Sequence, residues 1–192
     1  MTTRFDLFTP VHKALRAALF DAMQQVARCD FALAPEATAV ATALLRLSGF
    51  LSEHADHEDR EILPEVARLS GELAADLQAA HARVGGLEHE VVRLAERLEG
   101  APPVERLSLG RRLHDALGTL VAEQLLHMRR EETEVNRLLW AHRTDAELVE
   151  LHGRVVAAIP PARMQEWFAL LLPAVNGPER RALEAIATGH AA

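Results

Sequence analysis

Four long stretches of this sequence keep apolar residues at helical spacing, and only short links separate them. In the first, Thr9-Pro10 reads as an N-cap followed by proline at the first helical position. Val11, Leu15, Ala18, Leu19, Ala22 and Val26 then hold one apolar face to about Arg28. Pro35 opens the second, with Val40, Leu44, Leu47 and Leu51 on its stripe, and Pro64 should interrupt or kink it just after Leu63. The third follows Arg68-Leu69-Ser70-Gly71 and runs to Glu99 through Leu73, Leu77, Val84, Leu87, Val91 and Leu94. Gly85-Gly86 in its middle costs about 1 kcal/mol per glycine relative to alanine, so close packing is expected there. Past the turn Gly100-Ala101-Pro102-Pro103, the fourth extends from about Val104 to His142, through Leu107, Leu113, Leu117, Leu120, Leu126, Val135 and Leu138. Such faces over short links predict an all-α fold, an antiparallel up-down-up-down four-helix bundle over residues 1–142.

Residues 143–192 predict extra short C-terminal helices packed on that bundle as an extension. Thr144-Asp145-Ala146-Glu147 fits a capping box whose helix ends before Pro160-Pro161. A further helix carries Met164, Trp167, Phe168, Leu171 and Leu172, more in the manner of core than of a binding patch, and Asn176-Gly177-Pro178-Glu179 opens the last. At 192 residues the chain suits one well-buried core. A formal charge of -7 speaks against nucleic acid as a partner, because phosphate binding needs a basic face. The start, Met-Thr-Thr-Arg-Phe-Asp, has no apolar signal core, and no apolar run nears the roughly 18 residues of a membrane span. A cytoplasmic protein without membrane contact is the expectation. The single cysteine, Cys29, excludes an internal disulfide and any Cys-based metal site; in a loop with no adjacent base it reads as inert.

Ten histidines are the compositional oddity, and their positions matter more than their number. The second stretch contains His54-x-x-x-Glu58 and the fourth contains His127-x-x-x-Glu131. Side chains four residues apart lie about 40° apart around a helix, one turn along it, so each pair can offer a metal one imidazole nitrogen and one carboxylate oxygen. His12 on the first stretch and His81 on the third add an inward histidine each. Two ions held between facing helices need such a contribution from every helix. The register of the second stretch stays open: His57-x-x-x-Glu61 has the same spacing, and residues 54, 57, 58 and 61 fall within about 100° of one another. His54/Glu58 is preferred because Glu58-Asp59 then parallels Glu131-Glu132; His57 or Glu61 could be an extra ligand or orient one. Imidazole and carboxylate without thiolate suit Fe, Mn or Zn, and an incompletely filled shell favours non-haem iron. His89, His114, His142, His152 and His190 lack a matching carboxylate and read as surface or helix-end residues, and Met128 as packing.

The pieces Phe8-Thr9-Pro10-Val11-His12, His54-x-x-x-Glu58-Asp59 running to Ile62-Leu63-Pro64, His81, and His127-Met128-x-x-Glu131-Glu132 resemble the hemerythrin-like, HHE cation-binding family. They span roughly residues 8 to 141. The resemblance implies a non-haem di-iron centre bridged by two carboxylates, Glu58 and Glu131, and by an oxo or hydroxo group. It implies His12 and His54 as terminal ligands of one iron, and His81 and His127 of the other. The oxygen carriers of that family place a second histidine four residues from the third-helix ligand, where this chain has Leu77 and Gly85, and end in His-x-x-x-x-Asp rather than His-x-x-x-Glu. A more open iron than in a reversible oxygen carrier is implied.

The leading expectation is therefore a di-iron protein that binds or senses O2, NO, peroxide or iron, with a small diatomic ligand or peroxide as its partner. The alternative is a di-iron enzyme that reduces peroxide or NO, or a ferroxidase; a helical interaction protein with zinc or no metal is the third reading. The C-terminal helices could cover the bundle end or make a homodimer.

Overall fold

A computed structural model of the chain describes residues 4–187, with side chains to residue 184; Met1–Thr3 and His190 lie outside the described residues. The described residues are helical apart from short links, and no strand occurs among them. The helices are α1 (Thr9–Arg28), α2 (Ala34–His57), α3 (Leu63–Leu69), α4 (Gly71–Glu96), α5 (Pro103–Arg130), α6 (Asn136–His142), α7 (Asp145–Ala157), α8 (Pro161–Leu171) and α9 (Gly177–Ala187). α1 packs on α2 and α5, and α4 packs on the same two, so four long helices enclose one interior. Among the described residues, no helix is long and apolar enough to cross a membrane.

The second and fourth stretches each continue as one rod through a π-turn, at Glu58–Ile62 and Glu131–Val135. In these turns the Leu63 N–H bonds the Glu58 carbonyl and the Asn136 N–H bonds the Glu131 carbonyl, five residues back. Pro64 therefore does not end its helix. It falls at the second residue of α3, just past the π-turn.

α1 begins one residue earlier than expected, at Thr9 with Phe8 in the cap position, and the side chain that takes up its first N–H groups is that of Asp6 rather than Thr9. Asp6 Oδ1 accepts from the N–H groups of Phe8 and Thr9, both at 3.0 Å, and the Thr9 hydroxyl donates to Oδ2 at 2.6 Å. The capping box at Thr144 and Glu147 forms as read. Gly85 and Gly86 are not sites of close packing: a Cβ at either meets nothing within 4 Å. The close approach is at Gly110, where a Cβ would stand 2.3 Å from the Phe31 ring. Nearby, buried Arg106 donates to the carbonyls of Phe31, Ala32 and Ala101, tying two interhelical links to the start of α5. Leu107 and Leu126 point outward, at 42% and 59% exposure, because Arg106, Leu109, Gly110, Gln124, His127 and Met128 occupy the inward phase of α5.

Two apolar clusters form the interior. The larger gathers residues such as Leu15, Leu19, Leu51, Val84, Leu120 and Met128; the smaller gathers Phe8, Ile62, Val66, Leu77, Val135 and Leu139. α7 contributes Leu148 and Leu151 to the smaller cluster, and Trp167 of α8 stacks edge-on against Phe50 at 4.7 Å in the larger. Glu53 holds α8 further, accepting from Arg163 at 2.8 Å and from the Trp167 indole at 3.1 Å. Lys13 of α1 pairs with Glu179 of α9 at 2.6 Å.

Candidate metal centre

Between the two apolar clusters lies a polar layer built from four rods. His12 follows Phe8 on α1, His54 and Glu58 follow Leu51, His81 precedes Val84 on α4, and His127 and Glu131 precede Val135. These six residues form two donor groups, His12/His54/Glu58/Glu131 and His81/His127/Glu58/Glu131, and within each group the donor atoms lie within 4.8 Å of one another. The two groups share both glutamates. Such groups could hold metal ions.

Each glutamate divides its oxygens between the two histidine pairs. Glu58 Oε1 stands 3.2 Å from His54 Nε2 and 3.8 Å from His12 Nε2, while its Oε2 stands 3.5 Å from His81 Nε2. Glu131 Oε2 is 3.5 Å from His12 Nε2, while its Oε1 is 3.0 Å from His127 Nε2 and 3.6 Å from His81 Nε2. A carboxylate with one oxygen toward each of two sites is the geometry of a bridge. Within a pair the imidazoles meet edge to face, with centroids 5.0 Å apart for His12 and His54 and 4.6 Å for His81 and His127.

The layer is incomplete as protein alone. Both oxygens of Glu58, Glu131 Oε2, His81 Nε2 and His127 Nδ1 are buried without a hydrogen-bond partner. One such atom costs on the order of 1–3 kcal/mol, so this concentration of them at one spot is hard to reconcile with a merely structural polar core. A bound cation satisfies carboxylate oxygens and imidazole lone pairs together.

Two further acids orient the outer histidines, and each is the residue just after a shared glutamate. Asp59 Oδ1 lies 2.6 Å from His81 Nδ1, and Glu132 Oε1 lies 3.1 Å from His12 Nδ1. An acid on Nδ1 fixes the tautomer that leaves Nε2 free for a metal. Glu132 is itself held by Arg16, at 2.6 and 3.1 Å. The paired acids were visible in the sequence; the role of the second one, and the Arg16 contact, were not.

Electrostatics follow from this packing. Burial opposes a charge on His12, but Glu132, Glu58 and Glu131 outweigh it and raise its pKa to about 9. His81, buried beside Glu131, Glu58 and Asp59, is raised to about 11. Burial dominates at His54 and lowers it to about 4. Glu58 is likewise opposed by burial, yet His54, His12 and His81 hold its carboxyl well below the usual range. A metal entering this layer must displace the His12 and His81 protons, so uptake weakens as pH falls.

His57 and Glu61 stay outside both groups. Glu61 accepts from Arg154 of α7 at 3.0 Å, and His57 is partly buried with its pKa lowered by burial and by Arg60. The reason is a matter of phase. Glu58, Ile62 and Val66 are buried at steps of four, as are Glu131, Val135 and Leu139, and the π-turns absorb the drift that such spacing builds up in a 3.6-residue helix. His89, His114 and His142 are exposed, with His89 and His142 bonded to the carbonyls of Gly85 and Leu138. His152 departs from the surface reading: it is partly buried beside the Phe5 ring at 5.6 Å, and burial lowers its pKa. Met128 is fully buried in the larger core, and burial together with Glu36 and Asp30 raises the Cys29 thiol. The chain matches no known family profile and no characterised protein sequence.

Proposed function

We propose that this chain is a hemerythrin-like, antiparallel four-helix protein that holds two iron ions and binds or senses O2, NO, peroxide or iron. The observation that carries the reading is the division of the Glu58 and Glu131 oxygens between the two histidine pairs. His12 and His54 would hold one ion, His81 and His127 the other, with both glutamates spanning the two. The antiparallel arrangement is supported by the order of the cores along the chain. Going from Phe8 to Leu15, α1 leaves the smaller core for the larger; Leu51 to Ile62 returns, Leu77 to Val84 leaves again, and Met128 to Val135 returns.

Nitrogen and oxygen donors without sulfur suit iron, with manganese and zinc as competitors. Iron in this layer would supply redox change and Lewis acidity. The protein gathers the donors between two apolar clusters, fixes two imidazole tautomers through Asp59 and Glu132, and would give up the His12 and His81 protons on loading. Metal analysis after expression in iron-rich medium, with spectra of the reduced and oxidised protein, tests the reading. Two irons per chain and near-ultraviolet bands that change with oxidation are expected; absence of stoichiometric metal sinks it. A second reading, an enzyme that reduces peroxide or NO or oxidises ferrous iron, is favoured by a cavity of about 300 Å3 that reaches the cluster. Catalytic turnover abolished by Glu58→Ala distinguishes it.

A further inference from the structure

Two cavities touch the cluster, and they differ in size and chemistry. One, of about 10 Å3, lies on the side of the smaller core, where Phe8, Ile62, Val66, Leu77 and Val135 surround the glutamates and His81. That is the threshold for a single water. The other, of about 300 Å3, opens among α2, α4 and α5 and reaches His54, Glu58, His81 and His127. His12 and Glu131 do not line it, so it meets the cluster from one side. On its wall, both Glu58 oxygens and His127 Nδ1 are buried and unpartnered.

The wall has three further properties. Gly85, one turn beyond His81, lines it without a side chain, and a Cβ there would meet nothing within 4 Å. Glu88, only 7% exposed, stands on the same face of α4 and belongs to neither donor group. Its Oε1 accepts the hydroxyls of Ser48 and Ser52 at 2.5 and 2.6 Å, so a carboxylate is held buried on this wall. Across from it, buried Gln124 offers an amide, and Asp56 and Asp59 add carboxylates. Asp56 faces Arg60 and Asp59 faces His81, both at the exposed rim, so the buried charge that disfavours an anion on this wall is that of Glu88. The pocket can hydrogen-bond a neutral guest.

We propose that this cavity is the pocket by which an exogenous ligand reaches the metal centre, that Gly85 sets its size, and that Glu88 selects small uncharged hydrogen-bonding molecules, hydrogen peroxide being the model, over anions. The inference rests on the two-metal reading above, and its test separates the two. The full chain is loaded with iron and its metal content is measured first. Azide binding is then titrated by visible absorption, and oxidation of the ferrous protein by hydrogen peroxide is followed by stopped flow. Each peroxide takes one electron from each of two ferrous ions and, with two protons, leaves as two waters.

Gly85→Leu should keep both irons and slow the peroxide reaction by roughly tenfold or more, the effect of one added steric barrier. Glu88→Gln should keep both irons and tighten azide by about fivefold or more as one repelling charge is removed. Should Gly85→Leu lose helical content, Gln78→Trp at the exposed edge of the cavity narrows the same passage from outside the core. Two bound irons with unchanged peroxide rates in the narrowed variants, or with unchanged azide affinity in Glu88→Gln, overturn the pocket and leave the metal centre standing. Wild-type chain that takes up fewer than two ions overturns both.

Discussion

The two halves of the cluster share one plan and differ in how they are closed. In each, one histidine comes from a His-x-x-x-Glu pair and the other from a neighbouring helix, held at Nδ1 by the acid after a shared glutamate. His12 is fully buried, its Glu132 is clamped by Arg16, and it is the one histidine of the four off the large cavity. His81 borders that cavity, and its Asp59 is 44% exposed; among the described residues Asp59 pairs with no lysine or arginine. The His12 corner is closed by a salt-bridged chain of contacts, whereas His54, His81 and His127 all border the large cavity. The difference teaches that donor groups of the same types, which could hold metal ions, can be buried firmly at one corner and bordered by open space at the others.

The largest expected effect tests what the halves share. Glu131→Ala removes one oxygen from each, so metal content should fall below one ion per chain rather than from two to one. Binding at a hundredfold excess over Kd adds about 2.7 kcal/mol of stability. In a chain of this size that corresponds to about 5–10 °C in melting temperature, all of which should vanish in Glu131→Ala. His127→Ala, by contrast, should leave one ion in the His12 half. A Glu131→Ala protein that keeps one ion would mean the halves are independent sites, and the bridge would be wrong.

A smaller effect tests how they differ. Removing an acid that orients a metal-bound histidine weakens metal affinity by about 10–100-fold. Glu132→Ala should fall at the upper end, because it also leaves the Arg16 charge unpaired beside buried His12. Asp59→Ala should fall at the lower end, since water reaches an acid 44% exposed and can take its place on His81. Glu132→Gln and Asp59→Asn, whose amide oxygens still accept from Nδ1, should recover much of each loss. Competition against a chelator measures all four; equal losses, or the reverse order, erase the distinction between a locked half and an open one.

How legible this was from sequence depends on what each feature leaves in the residue types. His127 and Glu131 could be read from their His-x-x-x-Glu spacing, and His12 and His81 as inward histidines on their stripes; all four fall in the donor groups. The second rod was ambiguous because residues 54, 57, 58 and 61 share a face, and phase cannot rank them. What ranks them is the π-turn, which has no compositional signature; only the steps of four through Ile62 and Val66, repeated at Val135 and Leu139, hint at it. Leu107 and Leu126 were misread because buried Arg106 and Gln124 look like solvated positions until their partners or cavities are known. Glu88 and Arg16 stayed hidden likewise, since a polar residue on a helix is ordinary until its neighbours come from other helices.

The smallest effect concerns the footing of the locked half. Asp6 caps the helix that carries His12 and also accepts from Asn136, the residue just after the second π-turn, at 2.9 Å. Burial opposes its charge, but the donors from Thr9, Asn136 and Phe8 prevail and hold the carboxyl below its ordinary value of 3.8. A folded-state value below the unfolded one adds stability that is present above the unfolded pKa and disappears as pH falls through the folded one. In the metal-free chain, Asp6→Ala should therefore cost on the order of 1 kcal/mol, about 2–4 °C in melting temperature, at neutral pH. The gap to wild type should stay constant down to about pH 4 and narrow only below it, where wild type loses its own carboxylate. Asp6→Asn should keep most of the cap, because asparagine serves as well at that position, without this acid dependence. A gap that instead changes between pH 5 and 8 would trace the stability to the histidines of the layer and not to the cap.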